Sequence, residues 1–98
     1  MIYDLIDGEE RARQHPTTFK IPSADERRGV RPGDWCKLGF HADAGVERMW
    51  VKVTSAGDAN AYAGSLDNKP TIVPLKLGDE VAFEPRNILD ILRREDKP

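Results

Sequence analysis

The residues best equipped for specific chemistry fall in two short stretches, ERMWVKV at 47–53 and the LDN turn at 66–68. Glu47, Arg48, Trp50, Asp67 and Asn68 combine a planar cationic donor, an indole, two carboxylates and an amide. That set suits recognition. An arginine fork held by a carboxylate presents paired donors to a partner's carboxylate or carbonyls, and a tryptophan offers a large amphipathic surface. These five are the candidate binding residues. Nothing comparable points to catalysis. His15 and His41 stand alone, no Cys-x-x-Cys or His-x-x-x-His spacing suggests zinc, and no glycine-rich phosphate loop occurs. Cys36 alternates onto an apolar strand face, where a thiol behaves as a small buried hydrophobe. Glu47 and Asp67 lie near Arg48, which favours ionised, paired carboxylates over a raised catalytic pKa. The expectation is a protein that is not an enzyme, with no catalytic residue, metal or cofactor.

Strand patterning determines where these side chains meet. In 47–53, Met49, Val51 and Val53 form an apolar face and Arg48, Trp50 and Lys52 a polar one. In WCKLGFH, Cys36, Leu38 and Phe40 alternate with Trp35, Lys37, Gly39 and His41. Directly opposed residues of antiparallel strands point to the same side. A hairpin centred on Gly57–Asp58 pairs Met49 with Leu66, Val51 with Gly64 and Val53 with Tyr62 inside, and Arg48 with Asp67 and Trp50 with Ser65 outside. An earlier hairpin with the loop ADAGV pairs Cys36 with Val53, Leu38 with Val51 and Phe40 with Met49 inside. Outside, it sets Gly39 against Trp50 and Lys37 against Lys52. Trp50 then sits in a shallow trough between Gly39 and Ser65. Two occupants suit that trough. One is the N-terminal third, whose Ile2, Leu5, Ile6, Phe19 and Ile21 need burial. The other is a ligand or partner using Trp50, Lys37 and Lys52 as an open aromatic and cationic platform. Arg48 opposite Asp67 likewise reads either as an exposed ion pair of little worth or as a polar site at the sheet's end.

The elements that position these residues follow from the chain's punctuation. Asp7 with Glu10, and Ser23 with Glu26, fit capping boxes that open two short helices, EERARQ stopped by Pro16 and ADERR stopped at Gly29. TFKIP between them reads as extended. After PGD come strands over 35–41, 47–54 and 61–67, a short strand TIV, and EVAF closed by Pro85. GD precedes a strand twice, in PGDWCKLGF and LGDEVAF, as one turn chemistry used twice. Residues 86–94 read as a 3₁₀ turn feeding a last strand, LDILR, or as a helix burying Ile88, Leu89, Ile91 and Leu92; the spacing of short strands favours the first. The fold class is mainly β (α+β): a small SH3-like β-barrel or strongly curved antiparallel sheet of about five strands, with an N-terminal helical extension packed on it. Its inside is Leu38, Phe40, Met49, Val51, Val53, Leu66, Val81 and Phe83. Residues 1–98 form one domain, divided into a helical and extended segment 1–30, a barrel 31–93 and a solvated tail 94–98.

Size and composition narrow the setting. Ninety-eight residues hold one modest core. No stretch approaches the ~20 apolar residues of a membrane span, and MIYDLIDGEE lacks the features of a secretory signal. One cysteine forms no internal disulfide, so a cytoplasmic setting is expected. Fifteen basic and 17 acidic residues give a net charge of −2, which disfavours a phosphate-backbone partner.

HPTTFKIPSADERRGVRPGDWCKLGF, ERMWVKV, YAGSLDNKP and LKLGDEVAFEPRNI together resemble the YegJ-like family of uncharacterised small bacterial domains. The likeness runs from about His15 to Ile91, with Cys36 departing from the aliphatic residue more usual there. It implies a bacterial or phage origin and a small β-rich domain, and transfers no activity or catalytic residue. The functional expectation is a binding module whose partner is another protein. Alternatives are an immunity or inhibitor protein against a toxin or defence component, and a single-stranded nucleic-acid-binding barrel using Trp35, Lys37, Trp50 and Lys52. The sequence does not determine the oligomeric state.

Overall fold

The computed structural model describes residues 2–96. Five antiparallel strands curl into a half-open barrel: β2 (Trp35–Ala42), β3 (Gly45–Ala56), β4 (Tyr62–Leu66), β5 (Glu80–Phe83) and β6 (Ile88–Leu92). β2 to β5 form a meander. A 3₁₀ turn, Pro85–Asn87, then returns the chain so that β6 pairs with the first half of β2. That is the SH3-like connectivity, and it selects turn plus strand over helix for residues 86–94. A two-residue strand β1 (Asp4–Leu5) pairs with the second half of β2.

The alternation places Leu38, Phe40, Met49, Val51, Val53, Leu66, Val81 and Phe83 inside, each at most 4% exposed. Cys36, Tyr62, Val73 and Ile88 complete this core with Val30 from the N-terminal third. Burial pushes the Cys36 thiol up to about 12.

Both capping patterns open helices, and the reciprocal box forms at the second. The Asp7 carboxylate accepts from the Glu10 N–H at 3.0 Å and starts α1 (Gly8–Gln14). Ser23 and Glu26 cap each other's backbone at the start of α2 (Ala24–Arg28), which ends at Gly29. The two GD turns also share one construction. Asp34 accepts from the Arg31 N–H at 3.0 Å and Asp79 from the Lys76 N–H at 2.8 Å. Each follows a glycine in the left-handed region, Gly33 at φ 99° and Gly78 at φ 94°.

The N-terminal third is bolted to the barrel through a buried arginine. Arg27 donates to the Pro22 and Pro85 carbonyls at 2.9 and 3.2 Å and pairs with Glu9, and its own carbonyl accepts from the Tyr62 hydroxyl at 2.8 Å. Asn87 adds a second bolt, donating to the Ile6 carbonyl at 3.2 Å.

Three expectations are corrected. Both hairpin registers are displaced by two residues. β2 and β3 meet through a two-residue turn, Asp43–Ala44, with Gly45 at φ 140°, so Cys36 pairs with Val51, Leu38 with Met49 and Phe40 with Glu47. β3 and β4 pair as Val51 with Leu66 and Val53 with Gly64, with a bulge between Val53 and Ser55. An even displacement keeps every side chain on its expected face and changes every neighbour. TIV is no strand; residues 71–74 are bends within the loop joining β4 to β5. In the tail expected at 94–98, Arg94 and Glu95 are exposed, and the Arg94 N–H donates to Asp34 at 3.0 Å; residues 97–98 lie outside the described residues.

Candidate functional site

The displaced register redistributes the five candidate binding residues. Glu47 turns toward the long loop, where its carboxylate accepts from three successive backbone N–H groups, Thr71 at 2.8 Å, Ile72 at 2.9 Å and Val73 at 3.1 Å, and from the Thr71 hydroxyl at 3.1 Å. Such a row of N–H groups is an anion nest. The Thr71 and Ile72 bonds, followed by Val73, hold the Glu47 carboxyl down at about 2. Its lone pairs serve the fold, and it draws Val73 into the core.

Arg48 and Asp67 do not oppose each other. Arg48 stands across from Gly39, exposed, with its guanidinium 5.7 Å from the centre of the Phe19 ring. Asp67 lies beside Trp50, donating its N–H to the Trp50 carbonyl at 2.9 Å, and its carboxylate accepts from the Trp35 indole N–H at 2.9 Å. The Asn68 side-chain oxygen accepts from the Trp50 N–H. Asp67 through its backbone N–H and Asn68 through its side chain therefore extend the β3–β4 ladder and fix the end of the sheet around both tryptophans.

Trp50 is half-buried and faces outward between Lys37 on β2 and Asp67. The expected trough between Gly39 and Ser65 is not there. Ile6 occupies the place above Gly39, where a Cβ would lie 2.6 Å from the Ile6 Cδ1. The N-terminal third thus covers the strip next to Trp50, with Ile6 on Gly39 and Phe19 under Arg48, leaving Lys37 against the indole.

The outer face of β2 and β3 carries a crossed pattern. WCK at 35–37 and WVK at 50–52 run antiparallel in register, Trp35 opposite Lys52 and Lys37 opposite Trp50. Each ammonium lies over the other strand's indole, at 5.0 Å for Lys37 on Trp50 and 5.3 Å for Lys52 on Trp35. Trp35 is buried at 9% exposure, Lys37 half-buried and Lys52 exposed. Among the described residues, Lys37, Arg48 and Lys52 have no carboxylate within ion-pair distance. The arrangement offers cations and one accessible indole to an incoming anion.

Sequence reasoning named Trp50 and all four members of the crossed pattern but missed Phe19 as the partner of Arg48. The repeated Trp-x-Lys tripeptide is the signal for the pattern; Phe19 has none, because it arrives from 29 residues away in sequence. Among the described residues no three of His, Cys, Asp and Glu come together as a metal site, and no helix is long and apolar enough to cross a membrane. No family model, curated protein or solved structure matches the chain.

Proposed function

We propose that the chain is a non-enzymatic binding module whose partner is an acidic segment of another protein, met on the outer face of β2 and β3 by Lys37, Arg48, Trp50 and Lys52. The observation that carries this reading is that, among the described residues, the three cations lack a carboxylate partner and two of them rest on indoles. A cation–π contact at an exposed site is worth ~0.5–1 kcal/mol. A partner carboxylate can therefore draw Lys37 off Trp50 and leave the ring free for an apolar side chain. An immunity or inhibitor protein is one form such a module takes. Net charge −2 favours a protein over a nucleic acid.

The test is affinity purification from the native cells with the intact chain and with a Lys37→Glu/Lys52→Glu variant of matched melting temperature. The expected result is a stoichiometric protein that the variant loses. A partner retained by the variant would place the interface elsewhere. Capture of single-stranded nucleic acid, with affinity falling steeply with salt, would replace the protein reading by the nucleic-acid one.

A further inference from the structure

Where the chain leaves the turn at 16–18, residues 18–20 border a pocket of about 220 Å³ beside the crossed pattern. Its walls are Phe19, Lys20, Lys37, Arg48, Leu89 and Asp90. Three of these side chains are cations and one is an anion. Their existing commitments are unequal. The Lys20 ammonium donates to the Pro16 carbonyl at 2.8 Å. Asp90 stands opposite Lys37 in the β2–β6 ladder and accepts from the Ile91 N–H at 2.9 Å. Among the described residues, Arg48 and Lys37 make ring contacts only, the first with Phe19 and the second with Trp50. The Phe19 ring centre lies 5.7 Å from the guanidinium, and among the described residues no hydrogen bond engages the Arg48 N–H groups. Leu89, 8% exposed, forms a dry floor.

We propose that this pocket binds a single oxyanion from the partner's acidic segment, a side-chain carboxylate or a phosphate monoester. Arg48 supplies two parallel donors, and Lys37 and Lys20 supply point charges. A liquid water occupies ~30 Å³, so the space has room for one such group. Asp90 at the rim competes for Lys37 and limits the affinity. This assignment rests on the reading of the outer face as the partner surface and names the group that anchors there.

The experiment titrates the ¹⁵N-labelled full chain with inorganic phosphate and, separately, with acetate, chloride holding the ionic strength constant. The expected result is saturable shifts confined to residues 18–20, 37, 48 and 89–90. Arg48→Gln, and Arg48→Lys which keeps the charge but loses the fork, should weaken binding about tenfold or more. Asp90→Asn should tighten it, and Lys76→Gln, exposed in the loop between β4 and β5 and away from this face, should leave it unchanged. Saturation at lower phosphate than acetate assigns a phosphate monoester; the reverse assigns a carboxylate. Absence of saturation, or equal losses for Lys76→Gln and Arg48→Gln, overturns the pocket. The titration contains no partner, so its failure leaves the Lys37→Glu/Lys52→Glu purification result standing. A partner indifferent to those charges would remove the face while leaving the anion measurement intact.

Discussion

Gly39→Ala tests how the N-terminal third is seated, because the close approach there involves one identified side chain. A methyl at Gly39 would lie 2.6 Å from the Ile6 Cδ1 and 3.2 Å from its Cβ and Cγ1. Carbon atoms rest at about 3.5–4.0 Å, so Ile6 must withdraw by about an ångström. It cannot do so freely. The Ile6 N–H donates to the Gly39 carbonyl at 2.9 Å, and the Ile6 carbonyl accepts from Asn87 at 3.2 Å. Overpacking of this kind costs about 1–3 kcal/mol. Replacing glycine returns about 0.4–1 kcal/mol through the unfolded chain. The net is a loss of roughly 0.5–2 kcal/mol, or a fall in Tm of about 2–16 °C for a domain of this size. Thermal and urea unfolding by circular dichroism measure it. The decisive comparison is the same substitution in an Ile6→Ala background, where the methyl has room and Gly39→Ala becomes neutral or stabilising. Equal losses in both backgrounds, or a gain in the native one, would refute the seating of Ile6 on Gly39.

Other outcomes follow from single residues. Phe40→Ala, at a site with no exposure and a ring 5.3 Å from that of Tyr3, should cost about 3–5 kcal/mol in urea unfolding, and Val51→Ala about 2–4 kcal/mol; losses under 1 kcal/mol would contradict the core. Glu47 is held at about 2 against an ordinary 4.5, so its hold on the loop is complete above 4.5 and is lost as pH falls toward 2. Amide exchange at Thr71, Ile72 and Val73 should accelerate over that window, and Glu47→Gln should show the fast exchange at neutral pH; a pH-independent rate would remove the clamp. Burial raises the Cys36 thiol from 9.0 to about 12, so its stabilising effect is complete below 9 and declines as pH rises toward 12. Thiol labelling at pH 8 should run only at the rate of global unfolding, and rapid labelling of the native protein would contradict its burial.

The sequence yielded faces more readily than neighbours. Period-two alternation states on which side of the sheet Met49 or Trp50 lies, and a two-residue displacement leaves that statement intact. The neighbour of Trp50 depends on how tightly the hairpins close. ADAGV reads as a loop of five, whereas Gly45 in the left-handed region closes a turn of two and brings Lys37, in place of Gly39, against the indole. The helix caps and GD turns were legible because their chemistry spans three residues. The Glu47 nest was not, since its donors at 71–73 lie 24 to 26 residues away and are backbone groups that any sequence carries. TIV was read as a strand for its β-branched residues, yet those N–H groups bond a carboxylate instead of a ladder. For the binding residues, composition identified a recognition set, but the register separates Arg48 from Asp67 and gives each a different partner.

The measurement closest to the central claim is the footprint of the purified partner on the ¹⁵N-labelled chain. If the outer face of β2 and β3 is the binding surface, the Trp50 indole N–H and the amides of residues 35–37, 48–52 and 65–67 shift together and saturate at one equivalent. The footprint would contradict the account if it fell on β5 and the 71–77 loop with the Trp50 indole unmoved.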